Sequence, residues 1–404
     1  MTLRVLMFGW EFPPHSIGGL GTACEGLVKA LCKKGVHITL VLPKHPGCDI
    51  PNCTIISPQG GTLEKKYVKT LLMAYQTSGS YEELYREAQS SERDLYGMTL
   101  LAEVERYADL AEGIARSEAF DVIHCHDWMT YPAGMRAKQA SGKPLIVHVH
   151  ATEFDRCGGS EGVSQRVYDI EREGMHASER VVAVSRFTRD GIVEHYGVPA
   201  EKVCVVHNAV EFRQEDLKQA PPAQKNGFLV LFLGRITLQK GPDYFLAAAK
   251  KVLEVRRDVT FVFAGAGDMQ KRMIQDVAAS GLSDRILFTG WLRGHDVDRM
   301  YQLADLYIMP SVSEPFGITP LEAMRNDVPV IISKQSGVSE VIHHCLKVDF
   351  WDIDELASKI LAVLEHRELK GELVRQGRNE VMGLNWDVPA DKCIGLYRDV
   401  LHSG

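Results

Sequence analysis

Two stretches in the second half of the chain pair residue types that can manage a phosphorylated sugar. In GRITLQKG (234–241) Arg235 and Lys240 stand five residues apart, at the end of an apolar run and in the loop before a helix expected near Pro242. An arginine fork and a lysine point charge so placed can converge on one diphosphate. In SVSEPFGITPLEAM (311–324) Glu314 follows the run LYIMPS and precedes a proline. A carboxylate there can hold sugar hydroxyls, and no local structural role accounts for it. Thr319-Pro320-Leu321-Glu322 reads as a capping box, with Thr319 as the cap, so helix capping explains Glu322 as well as ligand binding does. The amides of Gly317, Ile318 and Thr319 then stand where phosphate oxygens can be received.

The first half carries a glycine-rich turn, GWEFPPHSIGGLGTACEGL, in which Gly18, Gly19 and Gly21 permit backbone conformations closed to other residues. A helix starting there points its free amides at the loop, which suits a diphosphate, although the spacing is not GxGxxG. HCHDWMT (124–130) and HVHAT (148–152) end two apolar runs. Strand alternation puts His124 with His126, and His148 with His150, on a common face. The last of each pair, His126 and His150, is expected to point into a cleft, with Asp127 and Trp128 beside them in the vicinity of a bound sugar and the inner histidines packed. Four histidines with Asp127 and Cys125 invite a zinc site, but no helical HExxH or spaced cysteine set accompanies them, so no metal is expected. Asp296-Val-Asp298 and Asp352-Ile-Asp354 look like metal-holding DxD motifs, yet both open helices, where the dipole alone favours acids.

These loops need rigid elements behind them. Short, continuously apolar runs alternate with helix-period stretches from end to end, the mark of parallel strands covered on both faces. The fold class is therefore α/β, with two doubly wound domains at residues 1–215 and 222–383, a polar Pro-Pro linker within 211–227, and a final segment at 384–404. Ligands of such sheets collect at the carboxyl ends of the strands, and a cleft between two domains is expected. Residues 59–118 form a helical insertion whose tyrosines (Tyr67, Tyr75, Tyr81, Tyr85, Tyr96, Tyr107) are read as helix packing in preference to sugar stacking.

Composition narrows the partners. The 404 residues hold 53 acidic against 46 basic side chains, a net charge of −7 that gives nucleic acid no electrostatic footprint. Nine scattered cysteines without a CxxC fit free thiols in a reducing cytoplasm. The N-terminal residues enter a strand pattern at once, so no signal peptide is expected, and with no run of about 18 apolar residues membrane insertion is not expected either.

Taken in order, FPPHSIGGLG, HCHDW, the His150 strand end, GRITLQKG, SEPFGITPLEAM and GVSEVI resemble the retaining glycosyltransferases of the GT-B fold, family 4, and the similar bacterial and archaeal glycogen (starch) synthases. The resemblance covers nearly the whole chain. It implies two Rossmann-like domains facing across a cleft, the first on the acceptor side and the second binding a nucleotide-sugar donor, with helix 384–404 crossing back onto the first. It also implies a hexosyltransferase in which Arg235 and Lys240 hold the donor diphosphate and Glu314 contacts the donor sugar. Glu322 would hold the ribose, His150 would lie near the sugar, and Gly18 and Gly19 would approach the phosphates, with no metal or other cofactor. Glucose from UDP- or ADP-glucose, passed to an α-glucan such as glycogen, is the leading expectation. A small sugar or sugar-phosphate acceptor is the alternative, and a non-catalytic nucleotide-sugar binder the third. Ser16 departs from the pattern, because many glycogen synthases carry lysine two residues before the paired glycines.

Overall fold

Every strand pairing among the described residues is parallel. The computed structural model describes residues 2–14, 18–43, 46–57, 98–159, 161–211 and 227–402. They divide into two units: Met1–Glu153 with Val163–Asn208 and Trp386–Gly404, and Phe154–Gly162 with Ala209–Asn385. Parallel neighbours cannot be joined by a tight turn, so each strand returns through a crossover, usually helical. Both units are doubly wound α/β structures, as the apolar runs predict.

The first unit holds β1 (Arg4–Phe8), β2 (His37–Val41), β3 (Cys53–Ile56), β4 (Val122–His126), β5 (Leu145–Val149), β6 (Arg180–Ala183) and β7 (Val203–Val205), in the order β3-β2-β1-β4-β5-β6-β7. Every residue of β4 and β5 is buried, which accounts for the unbroken apolarity of their flanks. Helix α1 (Gly19–Lys33) follows β1. Helix α2 (Leu100–Ser117) buries Tyr107, whose hydroxyl donates to the carbonyls of Gly9 and Val41 at 3.3 Å, so this tyrosine packs as expected. The remaining tyrosines of the insertion, and most of the linker, lie outside the described residues.

The second unit holds β8 (Phe228–Leu233), β9 (Val259–Ala264), β10 (Ile286–Gly290), β11 (Leu306–Met309), β12 (Val330–Ser333) and β13 (Leu346–Val348), in the order β10-β9-β8-β11-β12-β13. Its core gathers Phe232, Phe245, Phe261 and Phe263, with ring centroids 4.9–5.6 Å apart. Each sheet reverses its strand order once, between β1 and β4 and between β8 and β11. The loops leaving those two pairs part to opposite sides, and the gap at the strand ends is where an open α/β sheet takes ligands.

The last helix, α13 (Asp387–His402), packs on α1 within the first unit. Lys34 pairs with Asp391 at 2.8 Å. Buried Trp386 lies so close to α1 that a Cβ on Gly26 would sit 2.2 Å from its ring. Alanine at Gly26 would gain about 1 kcal/mol of helix propensity. Driving a methyl into a packed indole costs about 1–3 kcal/mol, so the clash wins. Exposed Gly113 in α2 has nothing within 4 Å of where a methyl would stand. Urea denaturation should therefore give opposite signs, with Gly26→Ala destabilised and Gly113→Ala stabilised by about 0.5–1 kcal/mol. Equal shifts would contradict the Trp386 contact.

Candidate functional site at the strand-order reversals

In the second unit three loops meet on Glu314. The loop after β8 ends at Gly241, with φ +65°, where a Cβ would lie 2.1 Å from the Pro310 carbonyl oxygen, so only glycine lets this loop pass the end of β11. Val312 N donates to Gln239 O at 2.9 Å and ties the loops after β8 and β11 together. Glu314 N donates to Gln335 O at 3.0 Å, and Gly337 N donates to Glu314 O at 2.9 Å, which pairs Glu314 with the segment after β12. Glu314 is 6% exposed; its Oε2 accepts from Lys240 Nζ at 2.6 Å and from Ser311 Oγ at 3.1 Å. Glu314 thus has a structural partner, contrary to the sequence expectation: Lys240 and Glu314 compensate one another. Arg235 Nη2 donates to Gln239 Oε1 at 2.9 Å, on the same loop.

The capping box is corrected. Helix α10 (Thr319–Arg325) has Ile318 at its cap position, and Glu322 N bonds to Ile318 O. The Thr319 hydroxyl instead accepts from Tyr307 at 2.7 Å, and Glu322 Oε2 accepts from the Tyr301 hydroxyl at 3.1 Å. Burial raises the pKa of both phenols, so each is a neutral donor. Gly317, with φ +97°, leaves room for the Glu314 side chain, 3.1 Å from where a Cβ would stand. The Gly317, Ile318 and Thr319 amides lead into α10, whose first-turn donors have no partners within the helix. Ser311, Gln239, Tyr301 and Tyr307 are the residues sequence reasoning missed. Polar types flanking the motifs at strand ends are the only signal they carry.

The two DxD stretches sit at helix starts, as expected. Asp296 and Asp298 are in the first turn of α9 (His295–Leu303), with Asp298 paired to Arg325 at 2.8 Å. Asp352 caps α11 (Ile353–Glu365) by accepting from Glu355 N at 2.9 Å.

In the first unit the loops after β1 and β4 meet where Trp10 Nε1 donates to His126 O at 3.1 Å. Gly18 caps α1 with φ −158°, and neither Gly18, Gly19 nor Gly21 takes a positive φ, so the glycine conformations expected of this turn are not used. Gly18 N donates to Glu11 Oε1 at 2.8 Å. Asp127 adopts φ 59°, a strained conformation costing on the order of 1–3 kcal/mol. It is held there by its bonds: Oδ1 accepts from His150 N at 2.7 Å and Ala151 N at 3.3 Å, clamping β4 to β5. Trp128 is buried behind it.

His124, His126, His148 and His150 form one stack, with centroids 4.3–5.4 Å apart between neighbours. His126 is 1% exposed, while His150 is half-buried. Burial drives all four imidazoles below their ordinary pKa, His126 to about 3, so the stack is neutral. The cysteine that joins them is Cys24 of α1, not Cys125. Burial first, then Glu11 and Asp127, raise the pKa of its thiol.

Residues 18–209 match the family described as glycosyl transferase 4-like domain, and residues 213–380 match glycosyl transferases group 1. An uncharacterized glycosyltransferase of Methanocaldococcus jannaschii is 28% identical over 414 residues, covering 98% of each chain. A glycogen synthase of Mycobacterium tuberculosis is 26% identical over 401 residues, covering 98% of this chain and 94% of the relative. Among solved structures, sucrose-phosphate synthase from Thermosynechococcus elongatus superposes with a TM-score of 0.76 at 20% identity, covering all of both chains. Two doubly wound units, strand-end loops built on Arg235, Lys240 and Glu314, and both halves of the family pattern lead to one conclusion: the chain belongs to the GT-B glycosyltransferases, with a family 4-like first half and a group 1 second half.

Proposed function

We propose that the chain transfers glucose from UDP- or ADP-glucose to an α-glucan such as glycogen, with retention at the anomeric carbon. The observation that carries this reading is the meeting of Lys240, Glu314 and the start of α10 at the β8–β11 reversal. The near full-length likeness to a glycogen synthase favours a glucan as acceptor.

Breaking an anomeric C–O bond places positive charge on the sugar and negative charge on the departing diphosphate. Arg235 and Lys240, with the amides of Gly317, Ile318 and Thr319, neutralise that leaving charge without a metal. Fixed donors of this kind are worth about 3–4 kcal/mol each where a removal has been measured. Lys240 exchanges its carboxylate partner for phosphate as the donor arrives, which frees Glu314 for the donor sugar hydroxyls. Glu322 holds the ribose, and the family resemblance gives His150 a role near the donor sugar and Gly18 and Gly19 one near its phosphates. His126, Asp127 and Trp128 belong to the acceptor side, with Asp127 acting through its clamp on His150. No helix among the described residues is long and apolar enough to cross a membrane, and all nine cysteines are free, which fits a cytoplasmic enzyme.

Nucleotide release from UDP-, ADP- and GDP-glucose, with and without glycogen, tests the reading. Release that needs glycogen and UDP- or ADP-glucose is expected, and Glu314→Gln should lower kcat by about 100-fold. Release stimulated by a sugar phosphate and indifferent to glycogen would replace the acceptor; no turnover with any pair would contradict the reaction. Tyr301 gives a finer check, because its hydroxyl orients Glu322. Losing one hydrogen bond of about 0.5–1.5 kcal/mol, Tyr301→Phe should raise the donor KM roughly 2- to 10-fold with kcat nearly unchanged. A fall in kcat at constant KM would place Glu322 elsewhere in the mechanism.

A further inference from the structure

The histidine stack has more ring nitrogens than partners. His126 Nδ1 and His150 Nε2 face each other at 2.9 Å, a bond that uses one N–H and one lone pair. His124 Nε2, His126 Nε2, both nitrogens of His148 and His150 Nδ1 are buried with no partner among the described residues. Each such atom costs on the order of 1–3 kcal/mol, so the stack is held together at a cost to the fold. Metal-binding atoms of Cys24, His126 and His150 all lie within 4.8 Å of one another, as do those of His124, His126 and His148. The two groups differ in aim. His124 and His148 are parallel to within 2° at 5.4 Å, so their in-plane lone pairs cannot point at one ion, whereas the nitrogens of His126 and His150 already face each other.

We propose that Cys24, His126 and His150 form a site for a zinc-class transition cation, walled by His124 and His148. Zinc takes imidazole and thiolate donors at about 2.0–2.1 and 2.3 Å. Tetrahedral nitrogens at that distance stand about 3.4 Å apart, so the facing pair has to open by only about half an ångström. As the ion enters, the ring hydrogen between the two histidines moves to His126 Nε2 or His150 Nδ1, and the Cys24 thiol proton leaves to solvent. The charge is balanced locally: the carboxylates of Glu11 and Asp127 both act on Cys24, held in place by the amides of Gly18 and of His150 and Ala151. Tyr397 at His124 Nδ1, 2.6 Å away, fixes the wall from α13. An ion held by His150 would block glucosyl transfer, a consequence that rests on the proposed function; metal binding itself is measured without any turnover, so the two fail separately.

The test uses the full-length, tag-free chain with His343→Ala and His344→Ala in every sample, because that exposed pair beside Glu380 could bind metal by itself. Co(II) is the spectroscopic probe and Zn(II) the competitor. One Co(II) per chain is expected, with a thiolate charge-transfer band that Zn(II) abolishes. Cys24→Ser, its circular dichroism unchanged, should lose the band and bind Zn(II) at least tenfold more weakly. No binding, a band that survives Cys24→Ser, or equal Zn(II) affinity in that variant would overturn the site. Should Cys24→Ser fail to fold, the parent chain carrying only His343→Ala and His344→Ala decides: a stoichiometric Co(II) complex without a thiolate band overturns the proposal.

Discussion

A parallel sheet sends every strand back through a crossover, so its loops of consequence gather at the carboxyl ends. Where strand order reverses, neighbouring strands send their crossovers to opposite sides, and the two loops part. Each unit of this protein reverses once, and the residues able to do chemistry sit at those reversals. The loop after β8 supplies Arg235 and Lys240, and the loop after β11 supplies Glu314 and leads into α10. In the first unit the loop after β1 reaches the end of β4, where Trp10 bonds to the His126 carbonyl, and Glu11 of the same loop holds Gly18.

Charge is then managed by pairing. Glu314 is almost fully buried, and an unpartnered carboxylate there would be costly, so Lys240 and Ser311 share it. The first unit uses neutrality in its place. Burial keeps four imidazoles uncharged, and the strained Asp127 is held by the two amides that it joins.

Much of this was legible in the sequence, because apolar runs such as PLIVHVH report burial on both faces and motif residues such as Arg235 and Glu314 fall just beyond them. What was not legible depended on contacts distant in sequence. Lys240 and Glu314 are 74 residues apart, so their pairing cannot be read from either motif. Thr319 and Glu322 have the spacing of a capping box, but Tyr307 and Tyr301 compete successfully for their oxygens. Strand alternation placed His124 beside His126 correctly, yet could not show that a second strand would cover both, or that Cys24 rather than Cys125 would face them. The glycines at 18–21 misled in the other direction, their freedom being unused in an ordinary helix start.

The central claim is that the strand-end loops of the second unit bind a nucleoside diphosphate through Arg235 and Lys240. Calorimetric titration of UDP and ADP into the wild-type chain and into Arg235→Ala tests it most directly. Removing one charge-assisted contact of about 1.5–3 kcal/mol should weaken binding roughly 10- to 100-fold. Equal affinity for the two proteins, or no nucleotide binding to the wild type, would contradict the account.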